Sequence, residues 1–411
     1  MGELEIDAEP AALGLDPRRL DRLAGHFAPY VDDGRLPGWL IVVARHGQVA
    51  HVASHGWRDR EGGRPVTTDT IWRLASMTKP VTSVAAMMLY EEGAFELKDP
   101  VSRWLPAFAD MQVYSSGSAL RPVTRPATEP IRVWHLLTHT AGLTYGFHHA
   151  HPVDALYRAA GFEWSSPPDT DLAGCCELWA EQPLLFEPGT EWNYSVATDV
   201  LGRLVEVVAG QPLDRFLRAR ILDPLGMTDT AFWVGPDRAD RLAAAYMANP
   251  AGPSEPAVPM GDTTALAPPP ALSGGGGLIG PAADYLRFAE MLRAGGELDG
   301  VRLLSPRTVA YMTRNHLPAG VDLEQFGRPL FAETTFDGVG FGLGVSVVTD
   351  PAKGKVLSSP GEFGWGGAFS TFFFVAPEED MTVLLFTQLL PSSTHPIRSQ
   401  LKQLVYQALV D

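Results

Sequence analysis

Residues 73–80 read Arg-Leu-Ala-Ser-Met-Thr-Lys-Pro, and the order of serine, lysine and proline decides how the middle of the chain is read. In a helix, positions i and i+3 share a face, so Lys79 sits one turn beyond Ser76 with its amine within reach of the hydroxyl. Pro80 cannot donate to a carbonyl four residues back and is tolerated only in a first turn. The helix running through VTSVAAMMLYEEG (81–93) therefore opens at or next to Ser76 and ends near Gly93. That leaves the Ser76 amide free and puts its hydroxyl at the positive end of the helix dipole. Taken alone, Ser-x-x-Lys is a common tetrapeptide, with Ser76 as a simple cap and Lys79 as a solvated residue. The remaining sequence has to decide.

A serine hydroxyl is a poor nucleophile without a base. A lysine serves only if it is desolvated or placed near another cation, because its ordinary pKa is about 10.4. Glu91 and Glu92 are three turns away, and the neighbours Met77, Pro80 and Val81 make the setting of Lys79 dry. A tyrosine near a lysine amine, able to share the proton and pass it to a leaving group, completes such a set.

Two distant stretches supply the rest. In FEPGTEWNYSVATDVLGRL (186–204), Tyr194-Ser195 follows a Pro-Gly turn and precedes a helix over 197–210. A side chain there can project into a cleft, although a buried, hydrogen-bonded anchor is the commoner role of tyrosine. In GEFGWGGAFSTFFFV (361–375), glycines at 364, 366 and 367 allow the backbone to approach a ligand, and Trp365 offers an apolar surface. The amide of Ala368 can then face that of Ser76 as a two-donor oxyanion hole. The plainer reading is a glycine hairpin with a packed tryptophan.

Around these pieces, Asp16-Pro17 caps and opens a helix with Leu20, Leu23, Phe27 and Tyr30 at helical spacing. WLIVVARHGQVAHVASHGW (39–57) is a β-hairpin turning at His46-Gly47. Residues 110–190 are irregular, with one clear short helix in 131–143, and 248–282 form a Pro/Gly-rich connector before a helix capped near Pro281. FGLGVSVV, WGGAFSTFFFV and MTVLLFTQL read as three late strands, followed by the helix SQLKQLVYQAL. The terminal strands thus pair into one antiparallel sheet flanked by the terminal helices, and the middle forms an inserted, mainly helical domain.

A net charge of −16 with no Lys/Arg cluster argues against nucleic acid or an anionic membrane as partner. No apolar run of about 18 residues marks a membrane span and no signal-peptide core opens the chain, so a cytoplasmic location is the expectation. The adjacent Cys175 and Cys176 form neither a metal pair nor a disulfide framework.

Ser76-Met77-Thr78-Lys79, Tyr194-Ser195-Val196 and Trp365-Gly366-Gly367 recur in the order seen in the serine β-lactamase and penicillin-binding-protein superfamily. WHLLTHTAGL (134–143), EPGTEWNYS (187–195) and SGGGGLIGPAADYLRFA (273–289) look alike too. Within the superfamily the chain resembles the family VIII carboxylesterases, which are similar to class C β-lactamases, over nearly its whole length. The resemblance implies an α/β (α+β), β-lactamase/transpeptidase-like fold. Residues 1–75 and 275–411 would form the sheet domain and 76–274 the helical one, with the active site at their interface. It also implies Ser76 as nucleophile, Lys79 as base, Tyr194 as proton relay, the amides of Ser76 and Ala368 as oxyanion hole, and Trp365, Gly366 and Gly367 as substrate-binding residues. No metal or organic cofactor is implied, and the partner is a small-molecule ester. The oligomeric state is not legible.

Departures from the family pattern point to substrate. Val196 stands where many lactam-recognising relatives have asparagine, and Trp365 where they have lysine. Losing a cation for a substrate carboxylate removes about 1.5–3 kcal/mol of charged hydrogen bonding. Neutral esters with short- to medium-chain apolar acyl groups are favoured. An acyltransferase using the same acyl-enzyme is the alternative, as is weak β-lactamase or penicillin-binding activity. Other motifs are read as decoys. His135 and His139 lack the glutamate of HExxH, Phe147-His148-His149-Ala150-His151 is a solvated cleft-edge loop, and Ser273–Gly277 is a flexible turn without a phosphate-loop ending. No G-x-S-x-G elbow occurs.

Overall fold

The computed structural model describes residues 4–164, 166–328 and 336–411; the first three residues of the N-terminal stretch read above lie outside them. The architecture is β-lactamase/transpeptidase-like: a large antiparallel sheet with helices on both faces and a mainly helical middle. The sheet has eight strands, β1 (Gly38–Arg45), β2 (Gln48–Asp59), β3 (Arg64–Pro65), β4 (Val339–Phe341), β5 (Ser346–Val348), β6 (Phe363–Gly366), β7 (Phe372–Ala376) and β8 (Met381–Phe386). Their order is β4-β5-β6-β7-β8-β1-β2-β3, so the early hairpin joins the late strands where β1 pairs with β8.

The hairpin turns where it was read. Arg45 pairs with Gln48, and His46 and Gly47 between them both take positive φ, 54° and 76°. That is the two-residue turn whose twist matches the strands. Every residue of β1 is buried because both faces are covered. Trp39, Ile41 and Val43 meet helices α1 (Pro17–Asp32) and α5 (Ile397–Tyr406) in one core, while Leu40 and Val42 join the larger core of the helical side. Asp16 caps α1 by accepting from the Arg18 and Arg19 amides, and Leu20, Leu23, Phe27 and Tyr30 are its buried stripe.

The late strands depart from the reading. FGLGVSVV and WGGAFSTFFFV are each split, β4 with β5 and β6 with β7, so five late strands enter the sheet instead of three. The break in the second lies at Gly367–Ser370, where the Ser370 amide donates to the Gly367 carbonyl at 3.0 Å. The breaks fall at Gly342 and Gly344 and between Gly367 and Ser370, glycine and serine turn signals that the reading places inside single strands. The irregular 110–190 region contains an unpredicted hairpin, Gln112–Ser118 with Arg121–Pro126, whose second strand is wholly exposed. With no buried face it has no alternating pattern to read.

Helix α2 (Thr78–Glu91) is preceded by a 3-10 turn over Ala75–Met77. It is buried from Thr78 to Leu89 and packs against α3 (Ala197–Ala209). Helix α4 (Ala282–Arg293) lies on the sheet, with the Tyr285 and Phe373 rings 5.1 Å apart. Among the described residues no helix is long and apolar enough to cross a membrane.

Candidate active site

Ala75 brings the chain into α2 with φ of +47°, a left-handed conformation that costs a non-glycine residue roughly 1–3 kcal/mol. Neighbouring bonds hold this turn. The Leu74 amide donates to the Leu278 carbonyl, the Leu278 amide to the Thr78 hydroxyl, and the Tyr285 hydroxyl to the Met77 carbonyl. Ser76 is thereby presented at the wall of a cleft of about 180 Å³, with Tyr194, Trp365, Gly366, Gly367 and Ala368 among the other lining residues. Among the described residues, neither the Ser76 nor the Ala368 amide donates to a protein acceptor. Two free N–H groups beside a serine hydroxyl can stabilise an oxyanion.

Lys79 is 1% exposed. Its amine reaches the Ser76 hydroxyl at 3.3 Å, the Tyr145 hydroxyl at 3.0 Å and the Gly275 carbonyl at 2.7 Å. No carboxylate touches it among the described residues. Asp199 acts on it across a peptide: its Oδ1 accepts from the Gly275 amide at 3.0 Å and from the Ser273 hydroxyl at 2.5 Å. Burial pushes the Asp199 carboxyl above its ordinary range, against the pull of Lys79 and these two donors.

This gives Ser273–Gly277 a different character from the flexible turn expected. It is a tight strap between α2 and α3. A Cβ on Gly274 would lie 2.8 Å from the Thr198 carbonyl, and one on Gly275 only 2.4 Å from Asp199 Oδ2. The Thr82 hydroxyl donates to the Gly274 carbonyl at 2.8 Å. Glycine is required here by helix-to-strap contact.

The two tyrosines divide differently from the reading. Tyr194 presents its ring face to the Lys79 amine, 4.5 Å from the centroid, and its hydroxyl oxygen accepts from the Trp365 indole N–H at 3.2 Å. The hydroxyl bonded to Lys79 belongs to Tyr145, which sequence reasoning missed. Its signal was weak: Tyr145 comes two residues after WHLLTHTAGL, outside every quoted motif. Burial, with Asp199 and Tyr194 nearby, holds its phenol well above the usual range, so it stays a neutral hydroxyl.

Trp365 is buried against Tyr194 and Phe341, ring centroids 5.4 Å away in both cases, and fixes Tyr194 as much as it lines the cleft. Gly366 and Gly367 are glycine because of protein neighbours. A Cβ at 367 would lie 2.4 Å from the Leu74 carbonyl, in the turn that carries Ser76, and one at 366 would meet the Arg398 guanidinium. His135 and His139 do not act as a pair. His135 Nδ1 accepts from the Arg132 amide, while His139 faces Ser195 and Thr198.

Fold and cleft together define a β-lactamase/transpeptidase-like protein. The chain belongs to the Beta-lactamase family, whose model matches residues 23–407. It is 39% identical to Protein Rv1367c of Mycobacterium tuberculosis over 364 residues, 88% of each chain. It is 35% identical to Esterase EstB of Burkholderia gladioli over 397 residues, 92% of this chain and 93% of that one. Among solved structures it resembles EstCE1, described as a hydrolase with promiscuous acyltransferase activity, with 30% identity and a TM-score of 0.79 over 96% of this chain and 99% of that one. The resemblance read from the motifs, to family VIII esterases within this superfamily, is borne out by these matches.

Proposed function

We propose that the protein is a serine hydrolase that cleaves carboxylic esters with short- to medium-chain apolar acyl groups through an acyl-enzyme on Ser76. The observation that carries the reading is the 3.3 Å contact between the Ser76 hydroxyl and the buried Lys79 amine. EstB and EstCE1, an esterase and a hydrolase by name, support ester hydrolysis.

In the first step Ser76 Oγ bonds to the ester carbonyl carbon as Lys79 takes its proton. The carbonyl oxygen becomes an oxyanion between the amides of Ser76 and Ala368, donors typically worth ~3–4 kcal/mol each in the transition state. Collapse expels the alkoxide, which takes back the proton held by Lys79, with Tyr194, whose ring covers the amine and which lines the cleft, as the proposed relay. Tyr145 and the Gly275 carbonyl hold the amine in place. Water, activated by the same groups, then releases the acid. Trp365 in place of a cation favours neutral substrates.

A panel of p-nitrophenyl esters beside nitrocefin tests this. Turnover of butyrate-like esters well above nitrocefin, lost in Ser76→Ala, is the expected result, and an active Ser76→Ala variant rules the mechanism out. EstCE1's acyltransferase activity favours one second reading, capture of the acyl group by an alcohol. The ratio of transferred ester to free acid with a competing alcohol present separates the two.

A further inference from the structure

Strand β6 shows one face to Tyr194 and the other to helix α5, and residues on both sides line the cleft. Trp365 points to Tyr194, so Gly366, one residue on, faces α5. There the guanidinium of Arg398 fills the space a side chain at 366 would need: a Cβ would lie 2.4 Å from Arg398 Cζ. The group reaches past the glycine. Its Nη2 donates to the Gly367 carbonyl at 2.7 Å and to the Thr371 carbonyl at 3.1 Å, and its Cζ lies 5.5 Å over the Phe372 ring.

The Gly367 carbonyl and the Ala368 amide are the two ends of one peptide unit. In a trans peptide they point in opposite directions. A cation holding the carbonyl on the α5 side therefore turns the N–H the opposite way, in the wall of the cleft that Ala368 shares with Ser76, and it finds no protein acceptor among the described residues. The Ser370 amide fixes the same carbonyl from within the turn, but it is neutral. Arg398 adds a charge-assisted bond, roughly twice as strong as a neutral one. By polarising the carbonyl it also strengthens the donor at the other end of the peptide.

We propose that Arg398 is a positioning residue for the oxyanion hole, aiming and polarising the Ala368 amide from behind the strand. The inference rests on the acyl-enzyme reading above. It also explains glycine at 366, since any side chain there displaces the guanidinium. The rival role is direct contact with an anionic substrate, because Arg398 also lines the cleft.

The test uses Arg398→Met, Arg398→Lys and Gly366→Ala, with p-nitrophenyl butyrate, an anionic p-nitrophenyl hemisuccinate, and butylboronic acid as a tetrahedral mimic. Arg398→Met should lower kcat about ten- to a hundredfold for both esters, at or below the lower end of the loss seen when an oxyanion donor is removed outright, with KM nearly unchanged. Boronic acid affinity should fall by the same factor. Arg398→Lys should recover most of the loss through the Gly367 carbonyl. Gly366→Ala, which keeps the charge but pushes it aside, should lose kcat too, and decides the matter if Arg398→Met does not fold. Unchanged kcat in Arg398→Met, or a loss confined to KM for the hemisuccinate, overturns the proposal. Ser76→Ala run alongside separates the two levels: activity there overturns the acyl-enzyme itself, whereas an inactive Ser76→Ala with a fully active Arg398→Met overturns only the positioning role.

Discussion

The Tyr145 hydroxyl lies 3.0 Å from the Lys79 amine, nearer than the Ser76 hydroxyl at 3.3 Å. The amine is thus held by a residue from the loop that follows WHLLTHTAGL, while Tyr194 covers it with a ring face. Two tyrosines share one lysine in different geometries, and they should fail differently when changed.

Tyr145→Phe removes only the hydroxyl that holds the amine, so kcat should fall about tenfold with KM little changed. Tyr194→Phe removes the proposed relay and should cost about a hundredfold or more, the range for general acid–base groups. Steady-state kinetics on p-nitrophenyl butyrate measures both. A Tyr194→Phe variant as active as wild type would assign the relay to Tyr145.

Asp199 should act through the strap. Asp199→Ala leaves the buried Gly275 amide without its carboxylate acceptor, which should lower stability by about 1–3 kcal/mol. It also loosens the carbonyl that receives Lys79, so kcat should drop in a variant that still folds. Asp199→Asn keeps an acceptor oxygen and should be milder on both counts. Thermal melts with kcat below the melting range test this, and an Asp199→Ala protein with wild-type kcat refutes it.

His135 is buried and its pKa is lowered to about 3, first by burial and then by Arg132. The unfolded chain binds the proton near pH 6.5 and the folded one does not. Stability from this group is complete above about 6.5 and is lost as pH falls toward 3, on the order of 3 kcal/mol by pH 4. Urea midpoints of His135→Gln and wild type at pH 7, 5 and 4 should converge as the pH drops. A constant gap contradicts the assignment.

Asp284 has the opposite sign. Burial raises its pKa to about 6, although the Thr230 hydroxyl and the Asp229 amide donate to it. The folded state holds a proton that the unfolded state releases near 3.8. Its contribution is full below that value and is lost as pH rises through about 6. Asp284→Asn should therefore gain on wild type as pH rises from about 4 to 6, by up to about 3 kcal/mol in all. Equal pH slopes for the two proteins across that window would refute the assignment.

Much of this was legible along the chain. Asp16 before Pro17, a hairpin around His46-Gly47, and Ser76 with Lys79 three residues on are local statements, set by caps, turns and helical periodicity within a few residues. They held in the fold. So did the family, because its motifs are short and ordered. The late strands were miscounted where glycine and serine turns sit inside runs read as single strands, and the 112–126 hairpin went unseen because, apart from Val113 and the half-buried Tyr114, it is exposed and carries no alternating pattern.

What the sequence alone determined, then, was the helix that opens at Ser76, the pairing of early and late strands into one sheet, and the superfamily. Only the tertiary structure decided which tyrosine bonds the lysine, why the glycines at 274, 275, 366 and 367 are glycine, and that Arg398 stands behind the Gly367–Ala368 peptide. Those relations join residues far apart along the chain, 31 positions for Arg398 and Gly367 and 66 for Lys79 and Tyr145. No local propensity encodes them, because they come into being only when packing brings the two helices, the strap and the strand within hydrogen-bond distance.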